Sequence, residues 1–373
     1  MNIRKYFQNL DWWLIGAVCL LVCFSLICIA SATHVNLGES SSNVIKHGVF
    51  FIIGFGLMVV AANVDYEYFS QFHIPIYIAN ILLLVAVLLI GVDNKGATRW
   101  IAVGPLTIQP SEFAKVITLR HKELNEMRTI VMLCAMLAFP LVLIQKQPAL
   151  SASLVLVAIF CIELFIAGLD WGFIRTVLII VVPIVALILI DVSLEHPFFT
   201  DKVFKPHQFN RILSFVDPTR DANLYYQTEK SISAIGSGQL TGKGLFNGTL
   251  NQLSYLPEPH NDFIFSVIGE EFGFFGCIFV LAVLLFIVFR CIVVATSARD
   301  TFSQLVAAGI AGMFAFQTFV NAGVATGILP NTGMSLPFVS YGGSSMWTNM
   351  VAIGLILNIR KKETKSLFEG GSL

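Results

Sequence analysis

Charged residues are scarce in this chain: Asp, Glu, Lys and Arg make up 12% of 373 residues, about half the roughly 25% usual in a soluble domain. That scarcity excludes an ordinary water-facing surface, because a soluble fold of this length covers its core with polar side chains. Lys/Arg-rich blocks with interleaved aromatics are also missing and the formal net charge is zero, so no nucleic acid partner is expected. The seven cysteines (Cys19, Cys23, Cys28, Cys134, Cys161, Cys277 and Cys291) lie in or at the edge of apolar runs. None has metal-ligand spacing, and they read as small apolar residues. There is no internal repeat, low-complexity tract or second soluble domain.

What the chain does have is apolar length. It is 56% hydrophobic, with 32 Phe, which suits an exterior facing lipid. A helix needs about 20 apolar residues to cross the hydrocarbon. Candidate spans are Trp12–Ala32, Gly48–Val64, Ile74–Gly91, Thr129–Ile144, Leu150–Leu169, Thr176–Ile190, Phe263–Phe289, Gln304–Ile328 and Tyr341–Asn358. The first is longer than a signal-peptide core and no cleavage site follows it, so it reads as a retained span. Pro110–Leu119 is a further, abnormally short candidate: about ten helical residues reach about 15 Å, half the hydrocarbon thickness. The preceding Ile101–Gln109 is expected to complete that crossing in non-helical form, which requires protein or water around its backbone.

Charge placement favours counting it. Cytoplasmic loops collect Lys and Arg. With this crossing included, Arg4, Lys5, Arg120, Lys122, Arg128, Arg175, Arg290, Arg299, Arg360, Lys361, Lys362 and Lys365 all lie inside, while Lys46, Lys95, Arg99 and Lys146 lie on short outer loops. The expected fold is an all-α polytopic membrane protein of about ten transmembrane helices. Both termini are then cytoplasmic, and residues 1–373 form a single membrane domain with 191–262 as a large extracytoplasmic loop. A loop that long without a task is uncommon, and its Phe residues mixed with charges suit segments at the membrane surface.

Three polar clusters stand out. The first is Lys95-Gly-Ala-Thr-Arg99-Trp100 followed by Gln109-Pro-Ser-Glu112-Phe-Ala-Lys115. Glu112 and Lys115 share a helix face and can pair; charges inside a membrane mark function, or here an ion pair that pins a short helix. The second is Leu256-Pro-Glu258-Pro-His260-Asn-Asp262-Phe-Ile-Phe265. A carboxylate at the mouth of a span is partly desolvated and can serve as a base; the plainer reading makes Asp262 the N-cap of the next helix. Glu258, His260 and Asp262 could also ligate a divalent cation, Mg or Mn, although the spacing identifies no specific metal site. The third, Leu336-Pro-Phe-Val-Ser340-Tyr341-Gly-Gly-Ser344-Ser345, allows close backbone approach and tight helix packing.

These clusters, in this order, resemble the SEDS family (shape, elongation, division and sporulation), which includes RodA and FtsW. The resemblance runs from Asp11-Trp12 to Ser345 and also takes in Ala234-Ile-Gly-Ser-Gly238 and Gly242-Lys-Gly244. It implies a peptidoglycan glycosyltransferase at the outer face of the bacterial cytoplasmic membrane, polymerising lipid II into a nascent glycan strand beside a class B penicillin-binding transpeptidase. Asp262 matches the family's essential aspartate, and Glu112 and Lys115 match its paired charges. The implied chemistry has Asp262 as the base for an inverting transfer that displaces undecaprenyl pyrophosphate. Arg99, Lys115, Lys243 and Arg211, in that order, are the cations expected to meet the leaving group. Arg99, Glu112, Lys115, Lys243, Glu258, His260, Ser340 and Ser344 form the expected substrate-binding set, with membrane lipid around the polyprenyl tail. The Asp11-Trp12 opening and short tails lean towards the RodA type. The alternatives are a flippase for lipid-linked precursor, against which the lack of a repeat speaks, and a non-catalytic scaffold for a transpeptidase, suggested by the short fourth span.

Overall fold

A computed structural model of the chain describes residues 10–34, 37–94, 97–103, 106–108, 127–147, 149–194, 206–217, 222–256 and 258–369. The helices are α1 (Trp12–Ala32), α2 (Leu37–Asn63), α3 (Tyr66–Gln71), α4 (His73–Ile90), α5 (Met127–Lys146), α6 (Leu150–Ile166), α7 (Trp171–Ser193), α8 (Pro206–Val216), α9 (Ala222–Gly238), α10 (Thr249–Gln252), α11 (Ile264–Ser297), α12 (Thr301–Ala325) and α13 (Gly343–Glu369). Between α4 and α5 lies a small antiparallel sheet of β1 (Val92–Asn94), β2 (Ala97–Val103) and β3 (Leu106–Ile108). The helical polytopic expectation holds, with this sheet as an addition; the non-helical reading of Ile101–Gln109 anticipated part of it.

Among the described residues, seven helices are long and apolar enough to cross a membrane (α1, α2, α4, α5, α7, α11 and α12), and α6 is a shorter apolar helix. Their apolar surface faces outward where a soluble protein would be polar: Ile179, Ile180, Leu187, Phe275 and Phe289 are all exposed. The core sits where α1, α11, α12 and α13 meet, around Leu14, Leu21, Ile268, Leu284, Phe314, Ile353 and Ile356. Helix α7 stands apart from it, and the apolar stretch of that helix buries none of its residues.

Ion pairs give the bundle two distinct ends. Asp11, at the start of α1, accepts from Arg290 Nε at 2.9 Å and Nη2 at 2.5 Å, and also from Arg360 of α13. Lys362 reaches Asp65 at 3.0 Å and Glu67 at 2.5 Å. The start of α1, the end of α2 and the Arg-bearing ends of α11 and α13 therefore share one face, and the start of α11, with Asp262 before it, lies at the other. Helices α4 and α5 run parallel: Tyr77 Oη donates to Met136 O at 2.9 Å, and Gln147 Nε2 to Leu84 O at 2.9 Å. Parallel neighbours need a return path between them, as the short crossing expected at Pro110–Leu119 would supply; that stretch lies outside the described residues.

Helix α11 is broken. Gly273 has φ 66° and ψ −159° inside it, and the segment Gln239–Gly244 is spliced into the gap. The carbonyls of Glu270 and Glu271 accept from Lys243 N and Gly244 N at 3.0 Å each, while Phe274 N and Phe275 N donate to Gln239 O (2.8 Å) and Leu240 O (3.2 Å). The break thus leaves these orphaned helix groups paired, as irregular backbone within an apolar bundle requires. A Cβ at Gly273 would lie 2.3 Å from Gly242 N, so glycine is needed for both its positive φ and its lack of a side chain.

Candidate active site

Two chain segments meet at the end of the bundle opposite Asp11. One runs from Glu258 to Phe263 into α11; the other runs from Asn331 to Tyr341 between α12 and α13. They are stitched together by backbone. Ser340 Oγ donates to Asn261 O at 2.7 Å and accepts from Leu336 N at 2.8 Å. Tyr341 N donates to His260 O at 2.9 Å, and the His260 and Tyr341 rings meet edge to face with centroids 5.5 Å apart. From α1, Ser25 Oγ donates to Val339 O at 2.9 Å and lies 2.9 Å from His47 Nε2. Each such bond removes a buried backbone group that would otherwise be unpaired in an apolar surround.

Asp262 lies at the centre of this seam. It precedes α11, whose N-cap is Phe263 with no side-chain cap hydrogen bond; the cap position expected for Asp262 belongs to its neighbour. Asn321 of α12 fixes the Asp262 backbone, with Nδ2 donating to Asp262 O at 3.0 Å and to Met334 O at 2.7 Å. One amide thereby ties both segments to the same helix. Gly333, at φ 68°, faces the carboxylate: a Cβ there would lie 3.3 Å from Asp262 Oδ2, and 3.6 and 3.8 Å from the Arg211 Nη atoms. Asp262 and Arg211 thus converge over a residue that has no side chain. Burial lowers the Arg211 pKa, and the charge of Asp262 acts in the opposite direction; the guanidinium stays a cation in either case.

The expected residues divide. Asp262, Glu258 and His260 come together, with Glu258 Oε2 accepting from Asn261 Nδ2 at 2.9 Å. Ser340 is here as a buried brace whose proton already goes to Asn261 O, and Ser344 is buried in the first turn of α13. The small-residue motif also packs helices: a Cβ at Gly343 would touch the Phe50 ring at 3.2 Å, and Trp347 Nε1 donates to Phe50 O at 3.1 Å. Lys243 is committed elsewhere. Its ammonium donates to Glu270 Oε1 at 2.7 Å and Thr249 Oγ1 at 2.6 Å, bracing the splice in α11. Glu112 and Lys115 lie outside the described residues; Arg99 is on β2, and its side chain is likewise outside them.

Sequence reasoning ranked Arg211 last among the cations and missed Asn321. The available signal for Asn321 was an amide inside an apolar span, where a polar side chain needs a partner. Among the described residues, no group of three or more His, Cys, Asp or Glu side chains is arranged to hold a metal ion. Glu258, His260 and Asp262, considered from sequence as ligands for a divalent cation, form no such group.

Comparison with known proteins follows the same lines. The family model for FtsW, RodA and SpoVE, described as a cell cycle protein, matches residues 10–365. A probable peptidoglycan glycosyltransferase FtsW of Trichlorobacter lovleyi is 33% identical over 376 residues, covering 96% of this chain and 95% of that protein. In structure, the chain is similar to a chain of a peptidoglycan synthase complex that coordinates polymerization and crosslinking, with a TM-score of 0.79, 27% identity and coverage of 95% and 98%. The rod shape determining protein RodA of Thermus thermophilus shares the fold at TM-score 0.65 and 24% identity, with 95% and 97% covered. The FtsW name of the sequence relative does not follow the RodA lean of the chain's opening.

Proposed function

The chain belongs to the FtsW, RodA and SpoVE family of cell cycle proteins, and from that premise we propose that it is a peptidoglycan glycosyltransferase whose base is Asp262. It is a bacterial integral membrane protein. Its substrate is lipid II, polymerised into glycan strands at the outer face, with the Asp11 end and both termini in the cytoplasm. Its partner is a class B penicillin-binding transpeptidase, a reading supported by the likeness to a synthase complex that also crosslinks.

The observation that carries the site assignment is the convergence of Asp262 and Arg211 over Gly333. A carboxylate there can take the proton of the acceptor's sugar 4-hydroxyl as its oxygen attacks the anomeric carbon of the donor chain. The bond from that carbon to the diphosphate oxygen breaks, and undecaprenyl pyrophosphate leaves with the electron pair, giving inversion. Arg211 meets the charge that develops on the leaving group, where a fixed cation stabilises a transition state most. Glu258 and His260 border the acceptor side.

The test is polymerisation of labelled lipid II by the purified full chain, with and without a co-purified transpeptidase. Polymer from wild type and none from Asp262→Asn supports the proposal. Movement of lipid II across vesicles without polymer would make the protein a flippase, and neither activity would make it a scaffold.

A further inference from the structure

We infer that Arg211 is a charge gate on Asp262: before substrate binds, the guanidinium stands beside the Asp262 carboxylate over Gly333, and it passes to the donor's diphosphate when substrate binds, freeing the base. This rests on the reading of Asp262 as the general base and adds how that base is switched on.

The two partners are held differently. Asp262 is fixed from behind, since Asn321 grips its carbonyl and that of Met334 and Tyr341 and Ser340 tie the adjoining residues down. Arg211 comes from α8, an 11-residue helix in the large loop, and extends towards Gly333 through a long side chain with several rotatable bonds. Both arrive over Gly333, where no side chain separates them. Of the two groups, Arg211 is the one free to change partner.

The chemistry gives it a reason to change. A carboxylate beside a guanidinium is stabilised in its charged form and is a poorer proton acceptor. General-base catalysis needs the opposite. A diphosphate carries more charge than one carboxylate and offers oxygens that match the guanidinium fork. Donor binding therefore outcompetes Asp262 for Arg211, and the base becomes effective when there is a leaving group for the cation to meet.

Competition leaves a signature in ligand binding that needs no turnover. The measurement is the affinity of full-length protein in detergent for undecaprenyl pyrophosphate, across wild type, Arg211→Gln, Asp262→Asn and the double variant. Loss of charge-assisted hydrogen bonds should weaken binding to Arg211→Gln by roughly ten-fold or more. Asp262→Asn should bind several-fold more tightly than wild type, because Arg211 is no longer shared. In the double variant that gain should vanish, with affinity equal to Arg211→Gln alone, as a coupled pair requires. Equal tightening by Asp262→Asn with and without Arg211 would mean plain charge repulsion and would overturn the gate, as would unchanged binding in Arg211→Gln. Arg211→Lys guards against misfolding: it keeps the charge, so Asp262→Asn should still tighten binding in its background, and failure to do so would also count against the gate. Polymer synthesis by Asp262→Asn would overturn the base assignment separately, since the binding cycle does not depend on it.

Discussion

The two ends of the bundle use aspartate in different ways. At the Asp11 end, four aspartates stand at helix starts and cap them: Asp11 accepts from Leu14 N, Asp65 from Glu67 N, Asp170 from Gly172 N and Asp300 from Ser303 N. Two also carry ion pairs, Asp11 with Arg290 and Arg360, and Asp65 with Lys362. At the other end Asp262 also stands before a helix, yet Phe263 takes the cap position and the carboxylate turns to Gly333 and Arg211. The same residue type in the same local sequence context therefore serves structure at one end and is placed for chemistry at the other. Tertiary surroundings, rather than proximity to an apolar run, separate the two.

The largest effect should come from breaking the exception. Asp262→Asn keeps the shape and the hydrogen-bonding backbone but cannot take a proton. Polymer synthesis should fall by roughly 10²–10⁴-fold in a protein that still folds and binds its partner. Asp262→Ala should be equally inactive, and whatever stability it loses with the charge facing Arg211 should be lost by Asn as well, because no cap is removed. A drop in stability for Ala that Asn repairs would return Asp262 to the group of caps.

Asp11→Ala should do the reverse. It leaves Arg290 and Arg360 facing each other without their shared carboxylate, which is 1% exposed. Removing one partner of a buried pair costs about 3–5 kcal/mol; the two arginine side chains are 17% and 33% exposed, which places this case near the low end, ~3 kcal/mol. Thermal unfolding in detergent should show the loss, while polymer synthesis per folded molecule should hold.

Much of this contrast could not be read from sequence. The membrane spans were legible because apolar runs mark the stretch in lipid, but they do not mark helix ends: α2 starts at Leu37 rather than near Gly48, and α11 continues to Ser297. A helix continues through polar residues, as α2 does through Ser41, Ser42 and Asn43, and past a charge, as α11 does past Arg290. The break at Gly273 was hidden for another reason. Gly269, Gly273 and Gly276 were visible, but the backbone that fills the gap comes from Gln239–Gly244, some thirty residues earlier. Asp262 was legible as a residue of interest, with cap and base both open. Its cation was not: among Arg99, Lys115, Lys243 and Arg211, spacing cannot say which one folds back. The structure brings Lys243 into an ion pair with Glu270, and Arg211 to the same glycine, Gly333, that faces Asp262.

A smaller effect is expected at Asp300, which accepts from Ser303 N at 2.9 Å and Ser303 Oγ at 2.8 Å. Asp300→Ala should cost about 1 kcal/mol and Asp300→Asn only a few tenths. Measured beside the Asp262 pair, this Ala-against-Asn difference is the control that defines how a capping aspartate behaves.

The smallest effect belongs to Asp65 and appears as pH dependence. Burial pushes its carboxyl up, but the Glu67 N–H and Lys362 together outweigh that and hold it below its ordinary value of 3.8. A carboxylate whose folded pKa lies below its unfolded one contributes stability that is present above the unfolded value and is lost as pH falls through the folded value. The window for Asp65 therefore opens below about pH 4. Its side chain is 43% exposed and that of Lys362 38%, so solvent and salt screen the pair and the loss is slight. Melting temperature followed from pH 6 downwards should show a shallow acid limb that Lys362→Gln flattens and added salt weakens. An acid limb of unchanged depth in Lys362→Gln would remove this pair as its source and leave the cap bond to Glu67 as the main role of Asp65.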